Sequence, residues 1–190
     1  MTEDPTLFDF AVIGAGIAGA SVTAELSRSA RVLLLEMESQ PGYHATGRSA
    51  AVFAEAYGPG PIRALTRASA PFFEAPPEGF AEHPLLSDRG IMMIANSEQL
   101  AALDAMIEEL SSEQPVQRLD PTQARALNPL LRADYVAAAM HDPRGRDIDV
   151  HALHHGYLRQ ARRAGARLVP DSRVTGLERD AGGWRIACRG

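Results

Sequence analysis

With 190 residues, 45% of them apolar and 23% charged, the chain can bury one real core and a small second lobe, which excludes a disordered reading. A formal charge of -5 gives no electrostatic footing for nucleic acid or an anionic membrane as partner. The one cysteine, Cys188, excludes an intrachain disulfide and a Cys-rich metal site, and leaves the compartment reducing or undetermined.

In chain order, Met1 to Asp9 is acidic and lacks a basic n-region, and Phe10 to Ala20 is too short and glycine-broken to span a bilayer, so the expected location is the cytoplasm. Phe8 to Ile13 is a nearly continuous apolar run, as suits a parallel strand covered on both faces. A glycine turn follows, then a helix from Ile17 to about Ser27, then a second apolar run from Arg31 to Glu36. Pro41 and Gly42 break the chain; Ser49 to Phe53 and Pro61 to Phe73 read as helices. Gly90 to Ala95 reads as a strand and Ser97 to Leu110 as a helix with a stripe of Leu100, Leu103, Ile107 and Leu110. Tyr135 to Met140 is a short strand, and His141 to Asp147 a polar loop. The best defined helix begins with Asp149 as its cap, ends with Arg159, Arg162 and Arg163 at its negative pole, and stops at Gly165. Arg167 to Val169 is a further strand, and Arg173 to Arg179 with Trp184 to Cys188 form a hairpin around Gly182 and Gly183.

Gly14, Gly16 and Gly19 form GxGxxG between a strand and a helix. Gly14 permits the tight turn, Gly16 lets a pyrophosphate approach the backbone, and Gly19 lets the helix lie close to the strand. The helix N-terminus then presents N–H groups to the phosphates. Glu36 closes the unit seventeen positions after Gly19, where its carboxylate can accept both ribose hydroxyls and would repel a 2′-phosphate, which disfavours NADP.

The next parallel-strand candidate after Glu36 lies more than a hundred residues on, at Arg167 to Val169, instead of at the short spacing of a simple nicotinamide-binding domain. That interruption suits an FAD domain with a substrate lobe inserted into it. Thr46, Arg48 and Ser49 offer donors for phosphate and ribityl oxygens at a loop-to-helix junction, or serve there simply as caps.

Together, GAGIAGAS, LLLEMESQPGYHATGRSAA and DIDVHALHHGYLRQARRAGA resemble the FAD-dependent D-amino acid oxidase superfamily, and within it most nearly the bacterial D-arginine dehydrogenases. AYG at Ala56 to Gly58, IRALTRAS from Ile62 and GFAEHPLLS from Gly79 extend the likeness along nearly the whole chain. The resemblance implies an α/β protein: a Rossmann-like FAD-binding domain of glutathione-reductase type, with a β-meander, interrupted by part of an α+β substrate lobe. Residues 1–57 would form the FAD-binding βαβ unit and flavin loop, 58–148 part of the substrate lobe, and 149–190 the return to the FAD domain. Implied FAD contacts are Gly14, Gly16, Ile17, Ala18, Gly19, Glu36 and Met37, then Ala45, Thr46, Gly47, Arg48, Ser49, Ala50, Ala51 and Val52 beside the isoalloxazine, with Val174 on the adenine through its backbone. Tyr57 matches a tyrosine of the substrate pocket. The implied chemistry is oxidation of a C–N bond of a D-amino acid by hydride transfer to flavin, with a sarcosine or glycine oxidase type, a 2-hydroxy acid oxidoreductase and a non-catalytic FAD-binding module as alternatives.

Two positions depart from the D-arginine dehydrogenase pattern: Ile91 stands where a carboxylate suited to a cationic substrate would be, and Val52 where a histidine would be. The family is roughly twice this length. The expectation is therefore an N-terminal portion of a longer or split flavoenzyme, inactive alone, taking a small amino acid or amine as substrate and the remaining half as a partner chain. His151 and His155, four apart on a helix, have a spacing open to a metal, but the helix sequence is ordinary for the family and no third ligand is evident, so no metal is expected.

Overall fold

The computed structural model describes residues 7–189; readings placed on Met1 to Thr6 and on Gly190 lie outside them. In chain order the strands and α-helices are β1 (Phe10–Ile13), α1 (Ile17–Leu26), β2 (Val32–Leu35), β3 (Val52–Phe53), α2 (Gly60–Glu74), β4 (Leu86–Asp88), β5 (Ile91–Ala95), α3 (Leu100–Ser111), β6 (Gln117–Leu119), α4 (Pro121–Leu127), β7 (Ala138–Asp142), β8 (Arg146–Ile148), α5 (Val150–Arg163), β9 (Arg167–Val169), β10 (Arg173–Asp180) and β11 (Gly183–Arg189). They fall into two compact units. The first takes the described residues up to Ala50, Pro76–Leu85 and those from Asp149 onward; the second takes Ala51–Ala75 and Leu86–Ile148.

The first unit is built on a parallel sheet of order β1-β2-β9, with Val12 opposite Leu34 and Leu34 opposite Leu168. The central strand, β2, has a neighbour on each side, so its run of Val32, Leu34 and Leu35 is buried. Helix α1 is made largely of small residues, and with Ala20 and Ala24 buried it can lie close to the sheet and to α5. Ala15, Ala20, Leu34 and Leu158 form the core there, with Val12, Tyr157 and Leu168 packed against it. The expected cover on both faces of β1 is not found: Phe10 and Ile13 are 47% and 52% exposed. Among the described residues β1 has only β2 beside it, and its packing comes through Val12.

Helix α5 follows its sequence signals. The Asp149 carboxylate accepts from the Ala152 N–H at 2.8 Å, Arg162 and Arg163 occupy the last turn, and Gly165 takes φ +91°. At Gly156 an added Cβ would lie 2.4 Å from the Phe80 ring, so glycine there lets Phe80 nest against the helix. Strands β10 and β11 form the antiparallel hairpin, with a register shift between Val174 and Gly176.

In the second unit, β5-β7-β6 form an antiparallel sheet, and β3-β8-β4 form another. Leu103 and Leu110 of α3 pack with Ala138 and Met140 of β7, and Ala124 of α4 with Leu119 and Ala139. Three expectations are corrected here. Ser49 to Phe53 is not a helix; a 3-10 turn occupies Thr46–Arg48 and Val52 and Phe53 pair with Asp147 and Arg146. The strand placed at Tyr135 to Met140 begins at Ala138 and runs to Asp142, because Ala139 to Asp142 pair with Ile94 to Ile91. The loop placed at His141 to Asp147 narrows to a tight turn, since Arg146 and Asp147 belong to β8.

Candidate functional site

A groove of about 340 Å³ opens at the C-terminal ends of β1 and β2, within the first unit, a volume inside the range of roughly 300–1,000 Å³ usual for small-molecule sites. Its walls come from the β1–α1 turn (Ile13, Gly14, Gly16), the end of β2 (Leu35, Glu36, Met37), the loop from Gly42 to Thr46, and Ser172 to Val174. This is the crevice beyond the carboxyl ends of parallel strands, where open α/β sheets bind ligands.

The turn is fixed atom by atom. Gly14 has φ +92°, a conformation costly for any residue with a Cβ. The N–H of Ala15 donates to the Glu36 carboxylate at 2.7 Å, so the acid at the end of β2 grips the glycine turn directly. The carbonyl of Gly14 faces α1 at Gly19, where an added Cβ would lie 1.8 Å from the oxygen. Glycine at 19 is therefore a packing requirement between helix and turn. Glu36 also accepts from the Glu38 N–H at 3.0 Å, its backbone N–H donates to the Val169 carbonyl at 2.9 Å, and its own carbonyl accepts from the Ser172 N–H at 2.7 Å. Buried at 7% exposure yet lining the groove, the carboxylate is held in one place by these bonds.

Helix α1 begins after Gly16 without a side-chain cap of its own. Thr46, 29 positions later, supplies the missing acceptor: its Oγ1 takes the Ile17 N–H at 2.9 Å. Thr46 therefore serves as a cap, and the helix it caps is α1, since the helical turn Thr46–Arg48 has no side-chain cap hydrogen bond. With Oγ1 accepting from Ile17, the hydroxyl proton is left to donate into the groove that Thr46 lines. The Gly47 N–H donates to the Gly42 carbonyl at 2.7 Å and closes the loop.

Of the sequence-derived cofactor residues, Gly14, Gly16, Glu36, Met37, Ala45, Thr46 and Val174 line the groove. Ile17, Ala18 and Gly19 form the first turn of α1 beside it. Gly47, Arg48, Ser49 and Ala50 belong to the same unit, the Arg48 guanidinium lying 5.2 Å from the Tyr43 ring centre. Ala51, Val52 and Tyr57 belong to the second unit, where Tyr57 is 64% exposed. The Ile91 side chain packs on Gly145, whose Cβ would fall 2.4 Å from Cγ1.

Gly42, Tyr43 and His44 also line the groove and were not read as site residues. The signal was present in the Pro41-Gly42 break, and Gly42 adopts φ +79°. His44 Nε2 lies 2.9 Å from the Glu38 carboxylate. His151 and His155 stack with ring centres 4.1 Å apart. Burial first, then the neighbouring His151, His154, Arg159 and Arg162, holds the His155 imidazole below its ordinary pKa. Among the described residues no group of three or more His, Cys, Asp or Glu is placed to hold a metal ion, and no helix is long and apolar enough to cross a membrane.

The residues present fit a dinucleotide on this geometry: a glycine turn that admits no Cβ at Gly19, a helix N-terminus beside it, and a fixed carboxylate one strand away. Comparison with solved structures places the fold. The chain is similar to glycine oxidase from Geobacillus kaustophilus, with a TM-score of 0.81 at 24% identity over 95% of this chain and 51% of that one. It is similar to L-alpha-glycerophosphate oxidase from Mycoplasma pneumoniae with FAD bound, at 0.78 and 14% over 95% and 49%. To L-proline dehydrogenase from P. horikoshii the values are 0.76 and 20% over 94% and 48%. The chain thus spans about half the length of these proteins. The family model described as DAO, FAD dependent oxidoreductase, matches residues 9–190, and by that match the chain belongs to the FAD-dependent oxidoreductases of this family, whose cofactor is FAD.

Proposed function

We propose that the first unit holds the ADP half of FAD and that the chain serves the oxidation of an amino acid at its C–N bond, with a D-amino acid bearing a neutral side chain as the substrate class. The observation that carries the cofactor half is the Glu36 carboxylate, locked on the Ala15 N–H at 2.7 Å in the wall of the groove. In this reading Glu36 accepts the ribose hydroxyls, the N-terminus of α1 and the Thr46 hydroxyl receive the pyrophosphate, and Val174 borders the adenine. Ala45 to Val52 would run beside the isoalloxazine, and Tyr57 would border the substrate, residues of the second unit forming part of the substrate lobe.

Oxidation of an amino acid is supported by the substrates named for two of the similar structures, glycine and L-proline, whereas the D configuration rests on the motifs quoted above alone. Ile91, an apolar side chain committed to packing on Gly145, supports a neutral substrate over a cationic one. When bound, FAD supplies the two-electron acceptor. The substrate loses a hydride from its α-carbon and a proton from its nitrogen, and water then hydrolyses the imine to a keto acid and ammonia. The protein's part is to orient the α-C–H and keep bulk water from the reacting centre.

The test is to release bound flavin from the purified protein by denaturation and identify it, then to add D- and L-amino acids, N-methyl amino acids and 2-hydroxy acids anaerobically while following bleaching near the visible flavin band. In a protein that also carries the second half of the fold present in the similar structures, neutral D-amino acids are expected to bleach it; this chain alone is expected to yield flavin and to stay unbleached. Bleaching by N-methyl substrates or 2-hydroxy acids alone would replace the substrate class and leave the cofactor assignment standing.

A further inference from the structure

A buried histidine on α5 stands beside the groove without lining it. His154 is 3% exposed, and its Nε2–H donates to the carbonyl of Ala15 at 2.8 Å, across 139 residues of sequence. Its ring also lies close to Gly42: a Cβ there would meet Cε1 at 2.8 Å and Nδ1 at 3.1 Å. One side chain therefore buttresses two walls of the groove, the glycine turn and the Gly42–Thr46 loop.

The consequence follows from peptide geometry. In a trans peptide the carbonyl oxygen of one residue and the N–H of the next point in opposite directions. The chain holds no cis peptide bonds among its described residues, so anchoring the Ala15 carbonyl on the α5 side sets the Gly16 N–H to the opposite side, toward the groove that Gly16 lines. The preceding peptide is fixed likewise, its N–H on Glu36 and its carbonyl against Gly19. Ala15 is thus held at both polar ends, one by an acid of the cofactor site and the other by a residue outside it.

We propose that His154 is a positioning residue for the dinucleotide: through its hydrogen bond to Ala15 it aims the Gly16 N–H at the pyrophosphate and holds the Gly42–Thr46 loop in place. It touches the backbone, not the ligand, and acts through the proton on Nε2. The proposal rests on the FAD reading of the groove.

The test compares the full chain with His154→Leu and His154→Gln by titrating FAD and following flavin fluorescence, with ADP as competitor. Leucine fills the space without a donor; glutamine returns an N–H at a similar reach. Losing one such hydrogen bond predicts about tenfold weaker binding of both FAD and ADP in His154→Leu, with His154→Gln recovering most of it. Wild-type affinity in His154→Leu, or equal loss in both variants, overturns the proposal. A second measurement needs no variant and no cofactor: the long-range ¹⁵N pattern of the His154 ring above about pH 8 must show the Nε2–H tautomer, and the Nδ1–H tautomer overturns the proposal. If the wild-type chain itself binds no FAD, the cofactor reading fails, while the tautomer still decides whether the clamp exists.

Discussion

Replacing Gly19 by alanine sets two known effects against each other. Alanine is favoured over glycine inside a helix by about 1 kcal/mol. The added methyl would, however, sit 1.8 Å from the Gly14 carbonyl oxygen, 3.0 Å from its carbon and 3.4 Å from Val12 Cγ1. Carbon and oxygen in contact stand about 3.3 Å apart, so helix and turn must separate by about 1.5 Å. The obstacle is backbone, and α1 is pinned behind by Ala20 against Leu34 and Leu158. Overpacking of this kind costs about 3 kcal/mol, which leaves a net loss of about 2 kcal/mol after the propensity gain. Because the displaced turn carries the Ala15 N–H away from Glu36, FAD affinity should fall by at least about tenfold as well. Equilibrium unfolding in urea, read alongside FAD titration, measures both. A Gly19→Ala protein as stable and as tightly binding as the wild type would refute the packing argument.

Thr46→Val keeps the shape of the side chain but removes the acceptor of the Ile17 N–H, so it should cost about 1 kcal/mol in unfolding free energy and weaken FAD several-fold by fluorescence titration. Arg63 is 8% exposed, donating to the Gly58 carbonyl at 2.9 Å and to Glu109 at 2.6 Å; with Glu109 itself largely in water, Arg63→Leu should cost about 1–2 kcal/mol by urea unfolding. For His155 the folded pKa lies below the ordinary 6.5 and the unfolded chain binds the proton more readily, so its contribution is present above about pH 6.5 and fades as pH falls through the folded value. Thermal melts from about pH 7.5 to 5.5 should therefore show a falling Tm, with a shallower slope in His155→Gln.

The parts of the fold legible in the sequence were those carried by local signals. The βαβ unit is written in a continuous apolar strand, a glycine turn and a second strand, and α5 in its Asp149 cap and Gly165 stop. Strands β4, β6 and β8 are three residues long, too short to display an alternation, and exist because distant partners pair with them. Val52 and Phe53 were drawn into an adjoining helix for the same reason. In the site, Glu36 and the glycines were readable because their spacing reflects one local unit. The partnership of Thr46 with Ile17 was not, since loop closure over 29 residues leaves no periodic mark. His154 did leave one. It lies four positions from both Val150 and Leu158, on the apolar stripe of α5, where a histidine must find a buried partner.

The groove beyond β1 and β2 is proposed to take the ADP half of FAD, with Glu36 accepting from the ribose hydroxyls. Titration of FAD into the chain and into Glu36→Gln, with ADP and NADP as competitors, tests it most directly. Saturable FAD binding is expected, with competition by ADP but not by NADP, and with affinity at least about tenfold weaker in Glu36→Gln. Absence of saturable FAD binding by a folded chain, or binding indifferent to Glu36→Gln, would contradict it.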